Sequence, residues 1–382
     1  MILLLLTRIL LWVAVGLIIW YILLRFIPRT YLTWFGGFVV LGLLVASFID
    51  TSSPAVETIW RILSFPLYPL GAAISLMFVA LSSGIKKANG SRIAWALTIL
   101  LVSSLPIVGR SLTNYSEGSV QAAFDQRREL CEDVCPAEIP GQVPLNNILA
   151  LVVMGDSVDE VNQTAEAPTQ VGSGQPFNVN LQPRLIYAST LYSELLRLGS
   201  SPTIYVTAGA TMGNEDQQAE KNRALKQVLR YGGVAGTDPT NANDDVVRIL
   251  NTGMAARATA ERVQENLAER ELLTGGDDPD PSQNRIMLVA PALSIRRAAL
   301  TFEHLNINVV ARPTDFFSAG GLADGVLARS NDLLVQLSDV VPSVEGLRLT
   351  TRFWDELLTT FYYLLRGWLP SYSVSWRELV EI

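Results

Sequence analysis

The sequence predicts a parallel α/β domain with helices on both faces of its sheet, preceded by an all-α transmembrane region. Two observations carry this prediction. Four uncharged apolar stretches fill the first 109 residues: Ile9–Leu24, Thr30–Ile49, Ile62–Ile85 and Ile93–Gly109. From Asn147 onward, short apolar runs instead alternate with segments of helical period.

A helix rises about 1.5 Å per residue, so roughly 20 residues cross a hydrocarbon core about 30 Å thick. The second and third stretches meet that length. The first reaches it by adding Met1–Thr7, with Arg8 and Arg25 snorkelling toward the headgroups. The fourth is short but within the range of real spans. The connections differ in charge: the first carries Arg25 and Arg29, the third Lys86, Lys87 and Arg92. The second has only Arg61, opposed by Asp50 and Glu57. Because basic residues in short loops stay on the cytoplasmic side, connections one and three face the cytoplasm. The expectation is a multi-pass protein of the plasma (inner) membrane whose soluble domain, after Gly109, is extracytoplasmic. A cleaved signal peptide is not expected, since no basic n-region precedes the first run and no small-residue cleavage site follows it. Pro66 and Pro69 leave a re-entrant third segment open, which would put the soluble domain on the other side.

Residues 1–109 thus form the expected four-helix membrane region. Residues 110–146 read as a polar connector with Pro136, Pro140 and Pro144, and 147–382 as the α/β domain with a C-terminal amphipathic helix. Cys131 and Cys135, the only two cysteines, lie in the connector as CEDVCP. They are either two unrelated small residues or a local disulfide, which an oxidising compartment favours. Zinc would need four ligands, and the one histidine, His304, is distant in sequence, so no metal site is expected. The net charge of −7, without a basic cluster in the soluble part, argues against nucleic acid as a partner.

The α/β elements follow in order. Ile148–Met154 is a continuous aliphatic run, the mark of a strand buried on both faces. Arg184–Leu198 spaces Leu185, Ala188, Leu191, Tyr192, Leu195 and Leu196 as a helix does. Thr203–Thr207 is a strand, Gln217–Tyr231 a helix, Val246–Leu250 a strand and Met254–Leu273 a helix. Arg285–Ala290 is the fourth strand, Ser294–Leu305 a helix and Asn308–Ala311 the fifth strand. Such alternation predicts a Rossmann-like sheet, with ligands beyond the carboxyl ends of its strands. Leu347–Leu365 is amphipathic and is expected to pack on this domain's core; its aromatic end also suits a bilayer surface.

The strand ends therefore hold the candidate chemistry. The first ends in Gly155-Asp156-Ser157, where Gly155 admits a ligand and Asp156 can cap, coordinate or act as a base. A polar stretch, Val158–Gln182, follows as a lid or a disordered loop. The second strand ends in Thr207-Ala208-Gly209, again small enough for close approach. No dinucleotide fingerprint or P-loop occurs, so the sequence leaves any cofactor unknown. Arg184 and Arg297 fall at or near helix starts beyond strand ends. Guanidinium groups and helix N-termini both favour anions, so an anion pocket from Arg184, Arg297, Gly155 and Gly209 competes with two structural arginines.

The order of these segments resembles the YdcF-like family of envelope proteins. That family shows a glycine-ended first strand, R-L-x-x-A-x-x-L-Y, a strand ending S-G-G, an E-A pair, T-x-E-N and V-T-S-x-x-H-M-x-R-A. This chain keeps Gly155, Arg184-Leu185, Ala188, Leu191-Tyr192, Gly209, Glu220, Thr259, Glu261 and Arg297-Ala298. VVPSVEGL followed by DELLTTFYYLLRGW is also like the membrane-anchored members. The departures are Thr207-Ala208 for Ser-Gly, Asp156 for a common Gly, Ser294 for the His and Arg262 for the Asn. The resemblance implies a part in envelope biogenesis and cell wall organisation, touching peptidoglycan precursors or their lipid carrier. It makes Glu220 the better acid/base candidate alongside Asp156, and Thr259 and Glu261 ligand-binding candidates. Its implied partners are the bilayer, a lipid-linked phosphate and envelope proteins. A non-catalytic scaffold and a nucleotide- or small-molecule-binding enzyme are the competing readings.

Overall fold

The computed structural model describes residues 64–81, 90–131, 145–155, 181–207, 222, 225–234, 246–250, 255–273, 284–317, 341–369 and 380–381. The runs Ile9–Leu24 and Thr30–Ile49 lie outside these residues, as do Asp156, Gly209, Glu220 and Cys135. The polar stretch as far as 180 and the side chain of Cys131 lie outside them too, so the structure does not bear on the disulfide.

The chain divides into two units, Met1–Gly109 with Val335–Gly367, and Arg110–Leu334 with Trp368–Ile382. In the first unit, a 3-10 turn at Phe65–Leu67 leads into α1 (Pro69–Leu81), followed by α2 (Gly90–Ser103). The third apolar run is thus not one long helix. Prolines 66 and 69 lack N–H groups and set the start of the regular helix at Pro69. Gly71 is required there, because a Cβ would lie 1.7 Å from the carbonyl oxygen of Phe65.

The fourth run also differs from expectation. α2 stops at Ser103, and α3 (Pro106–Cys131) starts after a bend. Pro106 disfavours helical geometry in the residue before it while suiting the first position of the next helix. Among the described residues no single helix is long and apolar enough to cross a membrane; the bent pair α2 and Pro106–Gly118 passes on length and composition only together.

A further described helix of this unit, α7 (Val344–Arg366), packs on α1 and α2. Ser343 caps it by accepting from the Gly346 N–H at 3.0 Å, and Gly367 ends it with φ +71°. The Ser343 N–H donates to the Ser104 carbonyl at 2.8 Å, satisfying an acceptor freed at the α2 break. The approach is close enough that a Cβ on Gly346 would sit 2.3 Å from that same oxygen. Tyr68 Oη donates to Asp355 at 2.6 Å, and Tyr68 immediately precedes α1.

The second unit opens with the rest of α3. Its Thr113, Glu117 and Val120 are buried, a stripe at helical spacing. The residues expected to be a polar connector are therefore helical as far as Cys131. Between Pro106 and Pro136 no proline interrupts them, and Ala, Gln, Arg and Glu favour helix.

The sheet is parallel throughout. Its strands are β1 (Ile148–Val153), β2 (Thr203–Thr207), β3 (Val247–Leu250), β4 (Arg285–Pro291), β5 (Asn308–Thr314) and the two-residue β6 (Val380–Glu381). They lie in the order β3-β2-β1-β4-β5-β6. α4 (Leu181–Arg197) joins β1 to β2, α5 (Ala256–Glu269) precedes β4, and α6 (Ile295–Glu303) joins β4 to β5. Leu185, Ala188, Leu195 and residue Leu229 of the helical segment 225–231 pack on Leu151, Val153, Ile204, Val206 and Val289. The alternate strand residues, such as Val152, Tyr205 and Leu288, face the opposite layer, where α5 and α6 contact each other. Both faces are covered, which is why the strands are apolar without alternation. β5 runs three residues past the expected Ala311, through Pro313. β6 pairs only with Val309 and Val310, so Pro313 removes no ladder donor on that side.

Candidate functional site

The strand order reverses between β1 and β4. Chain leaves β1 toward β2 on one side and β4 toward β5 on the other, the switch point at which sheets of this kind bind ligands. The β1 end is held in register by the Met154 N–H donating to the Val289 carbonyl at 2.9 Å. Gly155 comes next, and its N–H donates to Thr207 Oγ1 at 2.6 Å. Thr207 is buried at the end of β2, so this predicted ligand residue holds the backbone just past β1 in place.

Arg184 lies in the first turn of α4 and is 2% exposed. Its Nη1 donates to the Met154 carbonyl at 2.9 Å, and its Nε donates to Asp315. The guanidinium thus ties the end of β1 to the residue after β5, with a carboxylate of the same chain as its anion. Asp315 Oδ2 also accepts from Thr314 Oγ1 at 3.1 Å. Thr314 is anchored in turn: its carbonyl accepts from the Ala292 N–H at 2.6 Å, and its hydroxyl reaches the Ala290 carbonyl at 3.2 Å. Two residues on, the Phe317 N–H donates to both carboxylate oxygens of buried Glu117, at 3.2 and 3.1 Å.

Arg297 is the third residue of α6, directly past the turn that ends β4. The N-cap Ser294 makes no side-chain cap; its hydroxyl donates back to the Pro291 carbonyl at 3.4 Å. The first-turn N–H groups have no acceptor within the helix. Arg296 and Arg297 add positive charge to that positive helix end, where no acidic residue lies in the first turn.

Thr259 and Glu261 are elsewhere, on α5, which starts beyond the edge strand β3. Thr259 is fully buried, with its N–H on the Ala255 carbonyl at 3.1 Å. Glu261 accepts from Arg257 Nε at 2.6 Å, one turn back on the same helix, and Arg257 lies 6.0 Å from the centroid of the Trp368 ring.

Of the predicted residues, the structure gathers Gly155, Thr207 and Arg184 around the β1 end and sets Arg297 past the neighbouring β4. Reading the sequence missed Asp315, Thr314 and Glu117. Ending β5 at Ala311 hid the signal, because with Pro313 inside the strand Thr314-Asp315 becomes a strand end like the others. Among the described residues no group of three or more His, Cys, Asp or Glu side chains could hold a metal ion. The chain matches no family model, no curated protein and no solved structure, so the geometry of this edge and the residues named above are the ground for a functional reading.

Proposed function

We propose that the α/β unit is a Rossmann-like ligand-binding domain whose site is the crevice beyond β1 and β4, and that its ligand is anionic and phosphate-bearing. The observation that carries this reading is the reversal of strand order, by which the end of β1 at Gly155 neighbours β4, the strand that α6 with Arg296 and Arg297 follows. Helix N-termini at such switch points are natural phosphate sites, since backbone N–H groups, the helix dipole and guanidinium charge act on one anion. Arg184 orients the edge through Asp315 and Met154, while Arg297 contacts the ligand.

In this proposal the first unit anchors the protein in the plasma membrane, with the α/β domain extracytoplasmic and the ligand a polyprenyl-linked phosphate of cell-wall precursor metabolism. Support comes from Leu70, Ile74, Phe78 and Leu81, an exposed stripe along α1 on which Phe78 is 71% exposed, and from exposed Trp95 and Leu101 on α2. The capture of the Ser104 carbonyl by Ser343 also suits a membrane, where a broken helix needs its backbone groups satisfied. The family resemblance supports the envelope role.

The test is the binding of a polyprenyl phosphate in detergent micelles to the wild-type chain and to Arg297→Ala. Loss of one charge-assisted contact is expected to weaken binding by about tenfold or more. Equal affinities would remove Arg297 from the site.

A further inference from the structure

Four non-glycine residues among those described have positive φ: Glu271, Asn284, Asn306 and Asp315. The first three lie in turns that follow helices or precede strands, at the amino edge of the sheet. Asp315, at φ +53°, alone among them follows a strand at the carboxyl edge. Backbone of this kind persists where its surroundings over-determine it, and such places cluster at functional sites. Here the constraint is visible on both sides: Thr314 is held by Ala290 and Ala292, and Phe317 by buried Glu117.

The side chain is constrained as unequally as a carboxylate can be. Oδ2 takes both donors, Arg184 Nε and Thr314 Oγ1. Oδ1 accepts no hydrogen bond among the described residues, and the side chain is 26% exposed. A carboxylate oxygen can only accept, so a fixed Oδ1 at a ligand-binding edge is a reader of hydroxyl or amide N–H groups. A structural partner for Arg184 would need neither the exposure nor the unused oxygen.

We propose that Asp315 selects the part of the ligand that is not phosphate: it accepts a hydrogen bond from a hydroxyl of a phosphate ester, so the site prefers a phosphorylated polyol to bare phosphate. This rests on the anion site proposed above, one strand away, since β4 and β5 pair through Pro291 and Thr314.

Isothermal titration of the full chain with glucose 1-phosphate and with inorganic phosphate tests it. Wild type is expected to bind the sugar phosphate about tenfold more tightly, the effect of one well-placed hydrogen bond to a charged acceptor. In Asp315→Asn the amide oxygen must face Arg184, which can only donate, and this turns the NH2 toward the ligand in place of Oδ1. That variant is expected to lose the preference while keeping its affinity for inorganic phosphate within about twofold. If Asp315→Asn does not fold, Asp315→Glu keeps a carboxylate for Arg184, displaces the acceptor by one methylene, and is expected to lose the preference too. Phosphate binding without a sugar preference in wild type, or a preference that survives in the variant that folds, overturns the role of Asp315 and leaves the anion site standing. If neither probe binds wild type, both the anion site and the role of Asp315 fall.

Discussion

Glu303 closes α6 at its carboxyl end, where the helix dipole already opposes a negative charge. It is half-buried, and its Oε1 accepts from the Val309 N–H at 2.9 Å. Burial pushes its pKa up from 4.5 to about 7, and the single backbone hydrogen bond only partly offsets that. The folded state therefore holds this proton more tightly than the unfolded chain does. Below pH 4.5 both states are protonated and the group costs nothing. As pH rises toward 7 the unfolded chain ionises first, so stability falls, and above the folded pKa the loss is complete. The shift of about 2.5 units, at about 1.36 kcal/mol each, puts that loss near 3 kcal/mol. Glu303→Gln keeps an oxygen for Val309 and removes the ionisation. Urea unfolding of both chains, followed by far-UV circular dichroism from pH 4.5 to 8, should show them similar at the acid end. Their difference should then open to about 3 kcal/mol in favour of the variant by pH 8. Parallel profiles across this range would refute the assignment of a desolvated carboxylate to Glu303.

Two further substitutions probe the framework. Arg184→Met removes the partner of Asp315 and the donor to the Met154 carbonyl, and should cost about 3 kcal/mol; this is the low end for breaking a buried pair, because Asp315 keeps some contact with water. Urea unfolding measures it, and a cost below about 1 kcal/mol would mean that the pair does not brace the edge. Gly346→Ala drives a methyl group to 2.3 Å from the Ser104 oxygen, which neither backbone can yield cheaply. It should destabilise the packing of α7 by about 1–3 kcal/mol and speed proteolysis near residue 343; unchanged digestion would show the contact to be loose.

How much of this was legible beforehand depended on the range of the interactions involved. β2 was readable residue for residue, and β1 and β4 to within one, because strands covered on both faces are continuous aliphatic runs with no competing period. α4 was legible from Leu185, Ala188, Leu191 and Leu195 on one face, although it starts three residues before the expected Arg184. α3 was not read as a helix because its polar surface resembles a linker, and only burial of Thr113, Glu117 and Val120 distinguishes a helix with a partner from one without. β5 was cut short because Pro313 argues against a strand until its missing N–H is seen to have no strand to serve.

The sequence by itself determined the apolar character of the N-terminal third and the parallel α/β class of the rest, because hydrophobic period is a local property. It also placed Gly155, Arg184 and Arg297 at strand or helix ends. Tertiary structure alone decided the strand order, the partner of α7 and the anion that Arg184 holds. Asp315 is 131 residues from Arg184 along the chain, and no pattern within either segment encodes their meeting. That pairing arises because the sheet brings the ends of β1 and β5 to one edge, where an arginine buried behind the first finds its carboxylate on the second.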